Sequence, residues 1–367
     1  MKVMVKDIIE KLEHHFPAYL AEPWDNVGLH IGSVKQRVEK IIVCLDIDDY
    51  IVEQAIKNRV NLIISHHPLI FDAIKTINYD NPQGKLITRL IRAKISVYCA
   101  HTNLDAAPHG LNQILAEKIG LERIEPLYQH RQEQLIKLAV FVPVNHVNQV
   151  REAIAQAGAG NIGKYSDCTF RVEGIGTFRP GEDANPFIGA ANTLEEVREY
   201  RLETVVYEKD LERVLKAMEE AHPYEEVAYD LYPLNNQGFV YSLGRKGYLN
   251  EARSLEELAV WIRTCLGLKE VGVSGELTGM VNKVAVVSGS GGSMIDAAVA
   301  QGVDVLITGD LKYHDIKKAE ANGLFLIDAG HQGTEQIVID YLCGLLNSAF
   351  KNVAVLPCQN LTALTRI

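Results

Sequence analysis

At 367 residues and 47% hydrophobic content, the chain is long enough for two domains, or three small ones, and too apolar for disorder. A formal net charge of −10 argues against binding a nucleic-acid backbone, and no apolar run reaches the length that spans a bilayer. Six scattered cysteines without a Cys-x-x-Cys, and an N-terminus without a signal peptide's apolar stretch, lead us to expect a reduced cytoplasmic protein.

In chain order, residues 7–16 make an amphipathic helix on which His14 and His15 read as solvated. Apolar runs at 41–45, 62–65 and 95–100 then alternate with helical stretches near 50–57, 85–91 and 111–119. Continuous hydrophobicity over five or six residues reads as a strand buried on both faces, and the alternation reads as parallel β-α-β units. From 127 to 237 the pattern changes. Strands are expected at 135–142, 168–172, 175–178, 202–207 and 227–232, with a turn at Glu173-Gly174 and helices over 147–157 and 211–221. His222-Pro223-Tyr224 reads as the end of the second helix, because proline bars continuation. Two β-α-β rounds in about a hundred residues predict a ferredoxin-like plait. After 238 the first pattern returns, with apolar runs at 284–287, 303–308 and 324–327 and helices near 255–266, 294–300, 314–321 and 334–346. The expected fold is therefore α/β. Residues 1–126 and 238–367 form one discontinuous core with mostly parallel sheets flanked by helices, and 127–237 is a ferredoxin-like α+β insert.

The six core runs end on chemistry. They lead into Asp46, into His66-His67, into His101 and Asp105, into Ser288-Gly289-Ser290-Gly291-Gly292, into Gly309-Asp310, and into Asp328 and His331. Ligands of open α/β sheets bind outside the carboxyl ends of the strands. Neighbouring strand residues point to opposite faces, and Pro68 biases His67 toward extended backbone, so His66 and His67 are expected to serve two ions rather than one. His331 and Glu335 share a helical face, and the two oxygens of Glu335 can reach both ions. With Asp105 as a further ligand, the expected sharing is His67 and Asp105 on one ion, His66 and His331 on the other. Three imidazoles and two carboxylates suit two divalent ions, zinc first, with iron, manganese or cobalt as alternatives.

Other groups have two readings. His101 is taken as a catalytic proton carrier, with a sixth ligand as the alternative. Asp46, Asp310 and His314 are candidates to orient the ligands, although Asp310 can instead cap the helix after it. The glycine-rich run 288–293 is either a phosphate cradle or a tight turn. Trp24-Asp25-Asn26 either stacks on and bonds a base or forms an aromatic-capped turn.

Trp24-Asp25-Asn26-Val27-Gly28-Leu29, Ser65-His66-His67-Pro68-Leu69-Ile70-Phe71 and His101-Thr102-Asn103-Leu104-Asp105 resemble the Nif-three-like family, catalogued as GTP cyclohydrolase I type 2 homologs. So do Thr308-Gly309-Asp310-Leu311-Lys312-Tyr313-His314 and Gly330-His331-Gln332-Gly333-Thr334-Glu335. The segments 158–166 and 221–230 resemble the PII/CutA-like insertion of its longer bacterial members. The resemblance implies a dinuclear site whose ligands fall on His66, His67, Asp105, His331 and Glu335, in a homohexamer with sites facing an inner cavity. The two-ion site leads us to expect a metal-dependent hydrolase of a nucleotide-like or other small polar substrate, and the resemblance implies ring hydrolysis of the GTP cyclohydrolase type. A non-enzymatic metal-handling or regulatory hexamer with a ligand-sensing insert is the competing class.

Overall fold

Each of the six apolar runs is a strand in the computed structural model, which describes residues 2–360. Lys40–Cys44, Leu62–Ser65 and Ser96–Cys99 pair in parallel, and the last two are buried at every position. Gly28–Ile31 closes one side of this sheet antiparallel to Ser96–Cys99, and Ala354–Pro357 runs parallel to Lys40–Cys44 on the other. The helices between them start on sequence-encoded caps. Asp48 and Asn81 each accept an amide hydrogen bond at the first turn of Asp49–Lys57 and Pro82–Arg92, and Pro82 occupies the first turn, where it loses nothing.

The second sheet runs in the order Gly272–Ser274, Phe325–Asp328, Val305–Gly309, Met280–Ser290, Arg245–Ser254, Glu122–Pro126. Here the expectation of mostly parallel pairing fails. The three central strands are parallel, but the other three pairings are antiparallel. Of the added strands, Gly272–Ser274 and Glu122–Pro126 lie at the two edges and Arg245–Ser254 lies between two partners; all three have interrupted burial, and a search for continuous apolar runs does not register such segments.

The two sheets exchange strands. Glu122–Pro126 ends the first stretch of chain yet pairs in the second sheet, while Ala354–Pro357 ends the last stretch and pairs in the first. Helix Ile337–Ala349 packs Val338, Ile339, Leu342 and Leu346 into the same cluster as Ile41, Leu62 and Phe16. Each such aliphatic side chain contributes roughly 1.5–3 kcal/mol on burial. The chain up to Arg131 and the chain from Tyr241 onward accordingly form one compact unit, and Gln132–Val240 forms another.

The second unit has a four-stranded antiparallel sheet, ordered Tyr229–Leu234, Leu135–Pro143, Glu195–Tyr207, Thr169–Phe178. Helices Val147–Gln156 and Leu211–Ala221 supply Val150, Ile154, Val214 and Met218 to its core, against Leu138, Val140 and Leu202. The expected turn at Glu173-Gly174 is absent. Both residues sit in the ladder opposite Tyr200 and Glu199, inside one continuous ten-residue strand. A glycine on an exposed edge strand mimics a turn signal. No helix among the described residues is long and apolar enough to cross a membrane.

Candidate metal centre

Strand ends from both sheets of the first unit converge on one cluster. His66 and His67 follow Leu62–Ser65, and Asp105 lies in the short helix Thr102–Ala106 after Ser96–Cys99. His331 and Glu335 bound the short helix His331–Glu335 beyond Phe325–Asp328. Glu335 Oε2 lies 3.0 Å from His67 Nε2 and 3.2 Å from His331 Nε2, and these two nitrogens are 3.3 Å apart. Glu335 Oε1 faces His66 Nε2 at 3.7 Å, and Asp105 Oδ1 is 3.6 Å from the same nitrogen.

This arrangement reverses the expected sharing: His66 goes with Asp105, and His67 with His331. The amides of His66 and His67 both donate to the end of the neighbouring strand, to the carbonyls of Cys44 and Leu45. Consecutive amides of a regular strand point to opposite sides, so strand geometry has ended at Ser65. The two imidazoles share one cluster, 5.1 Å between centroids. Their Nδ1 anchors then choose the sides. His66 Nδ1–H donates to the Ala100 carbonyl at 2.9 Å, on the side of Asp105, whereas His67 Nδ1–H donates to Asp46 at 2.8 Å on the other.

Every imidazole is held this way. His331 Nδ1–H donates to Asp310 at 2.7 Å, and His101 Nδ1–H to Asp25 at 2.9 Å. A proton fixed on Nδ1 leaves Nε2 as the free donor atom, the arrangement that carboxylates behind metal-binding histidines impose. Two groups of described residues bring such atoms within 4.8 Å of one another and could hold a metal ion: His67, His331 and Glu335, and His66, His67 and His101. The fit has independent support. His66 Nε2 and Glu335 Oε2 are buried with no hydrogen-bond partner, a state that costs free energy unless a cation meets them.

Electrostatics point the same way. Burial works against charge on His67, but the bond to Asp46 and the nearby Glu335 carboxylate outweigh it and push its pKa up to about 10. The Glu335 carboxylate raises His331 to about 9 against its burial. Burial would raise Glu335, yet His331, His66 and His67 hold it well below the usual carboxylate range. Burial raises Asp105. The cluster demands positive charge at its centre, as protons or as metal.

Glycines permit this convergence. Gly289 has φ +63°, and a Cβ there would collide with Glu335 Oε1, while one on Gly309 would meet the backbone of Gly330 and His331. The run 288–293 thus makes room for Glu335, and Ser288 adds a 3.4 Å bond from its Oγ to Asp105. Asp46 and Asp310 are brought to the ligands as orienting groups, but His314 is exposed, with its ring against Tyr313. Sequence reasoning offers Asp25 only within a base-binding motif or a turn, and misses its bond to His101. The Asp25 side chain is fully buried and accepts from His101 and from Thr102, which brings its pKa to about 2 against the effect of burial. The sequence signal was the Asp between Trp24 and Asn26, which the turn reading absorbed.

A family model described as Duf34/NIF3 (NGG1p interacting factor 3) matches residues 3–362. A protein of Halalkalibacterium halodurans named GTP cyclohydrolase 1 type 2 homolog is 42% identical over 324 residues, 88% of this chain and 87% of that protein. A Bacillus subtilis protein of the same name is 43% identical over 327 residues, covering 89% and 87%. The crystal structure of a Bacillus cereus protein related to NIF3 superposes with a TM-score of 0.93 at 40% identity, covering 100% of both chains.

Proposed function

The chain belongs to the Duf34/NIF3 family, and from that premise we propose that it is a metal-dependent hydrolase of a small polar, nucleotide-like substrate. One observation carries the reading: the two oxygens of Glu335 turn to different partners, Oε2 to His67 and His331, Oε1 to His66 beside Asp105. In this reading Glu335 would hold two divalent ions together with His66, His67, Asp105 and His331, zinc first, with iron or manganese as alternatives. When bound, such ions polarise a substrate oxygen or imine and make water more acidic. Five protein donors for two ions leave positions for water and substrate, as a catalytic site requires. His101 would hold and move the proton at Nε2, its tautomer fixed by Asp25. The homohexamer implied by the family pattern, with sites lining its cavity, belongs to the same proposal.

Gln132–Val240 we read as a ferredoxin-like plait. Its β-α-β-β-α-β succession and a sheet in which the fourth and third strands flank the first support that. This unit has a cleft of its own, about 550 Å³, lined by His146, Phe187, Glu196 and Arg198 among others. That cleft favours a second reading, a regulatory protein whose insert senses a ligand.

Metal analysis of the purified protein, then a screen with each metal restored, tests the choice. GTP comes first, with formate and an opened ring as the signs of reaction, followed by nucleotide phosphates and cyclic amides. Metal-replete protein that turns over none of these, while a ligand of the insert changes metal affinity, would decide for the sensor.

A further inference from the structure

Trp24 and Phe71 remain exposed, at 57% and 48%, although their rings touch, with centroids 5.8 Å apart and planes tilted by 35°. They belong to two loops fastened together. Asn26 Nδ2 donates to the Ile70 carbonyl at 2.6 Å, His30 Nε2–H donates to the Asn26 carbonyl at 2.9 Å, and the Ile70 amide donates to His30 Nδ1 at 3.4 Å. Asp25, next to Trp24, is fixed by His101 and Thr102. The exposed aromatic pair is therefore held in place.

Its position gives it a use. The Trp24 indole stands edge-to-face with His101, centroids 6.2 Å apart, and the His101 ring is 5.2 Å from His66 and 5.6 Å from His67. The His66, Asp105 and Glu335 side chains are buried, while His67, His331 and His101 are the ones partly open to solvent. A substrate approaches over those three, and the indole stands beside one of them. Two aromatic side chains offer at most about 500 Å². That falls short of the roughly 800 Å² per partner of a stable protein interface, so a small molecule fits the patch better than a second copy.

We propose that Trp24, backed by Phe71, is the platform on which the flat ring of the substrate stacks, so that this site takes planar heterocycles rather than sugar phosphates, peptides or aliphatic acids. The inference rests on the cluster being where substrate reacts, as proposed above. Because the two aromatic rings already touch, the ligand ring stacks on the indole rather than between the two rings, next to the His101 ring.

The chain has two tryptophans, so Trp261→Phe in the full-length protein leaves Trp24 as the single indole fluorophore. Metal-replete protein is titrated with guanosine monophosphate and, separately, with ribose 5-phosphate. The expected result is quenching by the nucleotide and none by the sugar phosphate. By calorimetry, Trp24→Ala should weaken nucleotide binding about 5- to 100-fold. Trp24→Phe should recover most of it, and metal content should be unchanged in both. Equal binding of the two probes, undiminished nucleotide binding by Trp24→Ala, or a change of oligomer size in that variant without a change in binding overturns the platform. Binding is read without turnover, so the two proposals fail separately. Stacking without hydrolysis removes the hydrolase and leaves the platform, and nucleotide hydrolysis unaffected by Trp24→Ala does the reverse.

Discussion

Asp25 and His101, 76 positions apart in the chain, are joined by a 2.9 Å hydrogen bond from His101 Nδ1–H to Asp25 Oδ1. The second oxygen of Asp25 accepts from the amide and hydroxyl of Thr102, so carboxylate and imidazole form a fixed pair, with His101 in one of the two groups that could hold an ion. With His101 as the proton carrier proposed above, His101→Gln should keep the metal while turnover falls by about two to four orders of magnitude, and loss of metal would make it a ligand instead. Asp25→Asn should also keep the metal and lose turnover, and the double variant should be little worse than His101→Gln alone, because the two act as one unit. Additive losses would show two independent roles.

Glu335 touches three imidazoles at once, so Glu335→Gln, which preserves volume and removes the charge, should strip the site. Elemental analysis should show a loss of affinity well beyond the roughly 10- to 100-fold expected for Asp46→Asn or Asp310→Asn, which remove outer partners only. Equal losses in all three variants would mean that Glu335 is not a ligand.

Gly289→Ala combines a left-handed φ of +63° with a collision against Glu335. Gly120→Ala is its control, since φ there is +86° but nothing lies within 4 Å of the added carbon. The control should cost only the backbone strain, about 1–2 kcal/mol, and keep its metal. Gly289→Ala should lose metal at a similar or larger stability cost. Equal metal content in both would show that the strand end yields.

Much of this site was legible because the ligands stand directly after apolar runs, and such runs are strands with few alternatives. What stayed hidden has physical causes. His66 and His67 were assigned to opposite sides on strand geometry, but the strand stops at Ser65 and the sides are set by Ala100 and Asp46, contacts between separate strands. Asp25 sits in a recognisable motif, but nothing local names His101 as its partner, because that bond exists only once the loop at 24–26 meets the end of Ser96–Cys99. The strands Arg245–Ser254 and Glu122–Pro126 are made by pairing with neighbours, not by their own hydrophobicity.

In the metal-free protein His67 and His331 hold protons up to about pH 10 and 9, against an ordinary 6.5. Raised values mean that these protons stabilise the metal-free fold fully below about pH 6.5, and that the benefit fades as pH rises through 9 to 10. A divalent ion must displace the Nε2 protons, so metal affinity should rise with pH over the same window. Calorimetry in buffers of different ionisation enthalpy should find about two protons released per chain near neutral pH. Binding without proton release would exclude these nitrogens as ligands.

The five proposed ligands all lie outside Gln132–Val240. The chain leaves and re-enters the first unit at adjoining points, because the His130 amide donates to the Tyr241 carbonyl at 2.9 Å. A short Gly/Ser linker in place of 132–240 can therefore close the gap without stretching the core, and loop closure of that size costs little. Metal content and thermal unfolding of this variant should match those of the full chain. The two sheets of the first unit keep every strand pairing described above, and the cluster keeps its orienting groups Asp25, Asp46, Ala100 and Asp310. Metal loss together with unfolding would show that the insert is integral to the core. A change of oligomer size with metal retained would assign the insert to assembly, and loss of ligand-dependent changes in metal affinity would assign it to sensing.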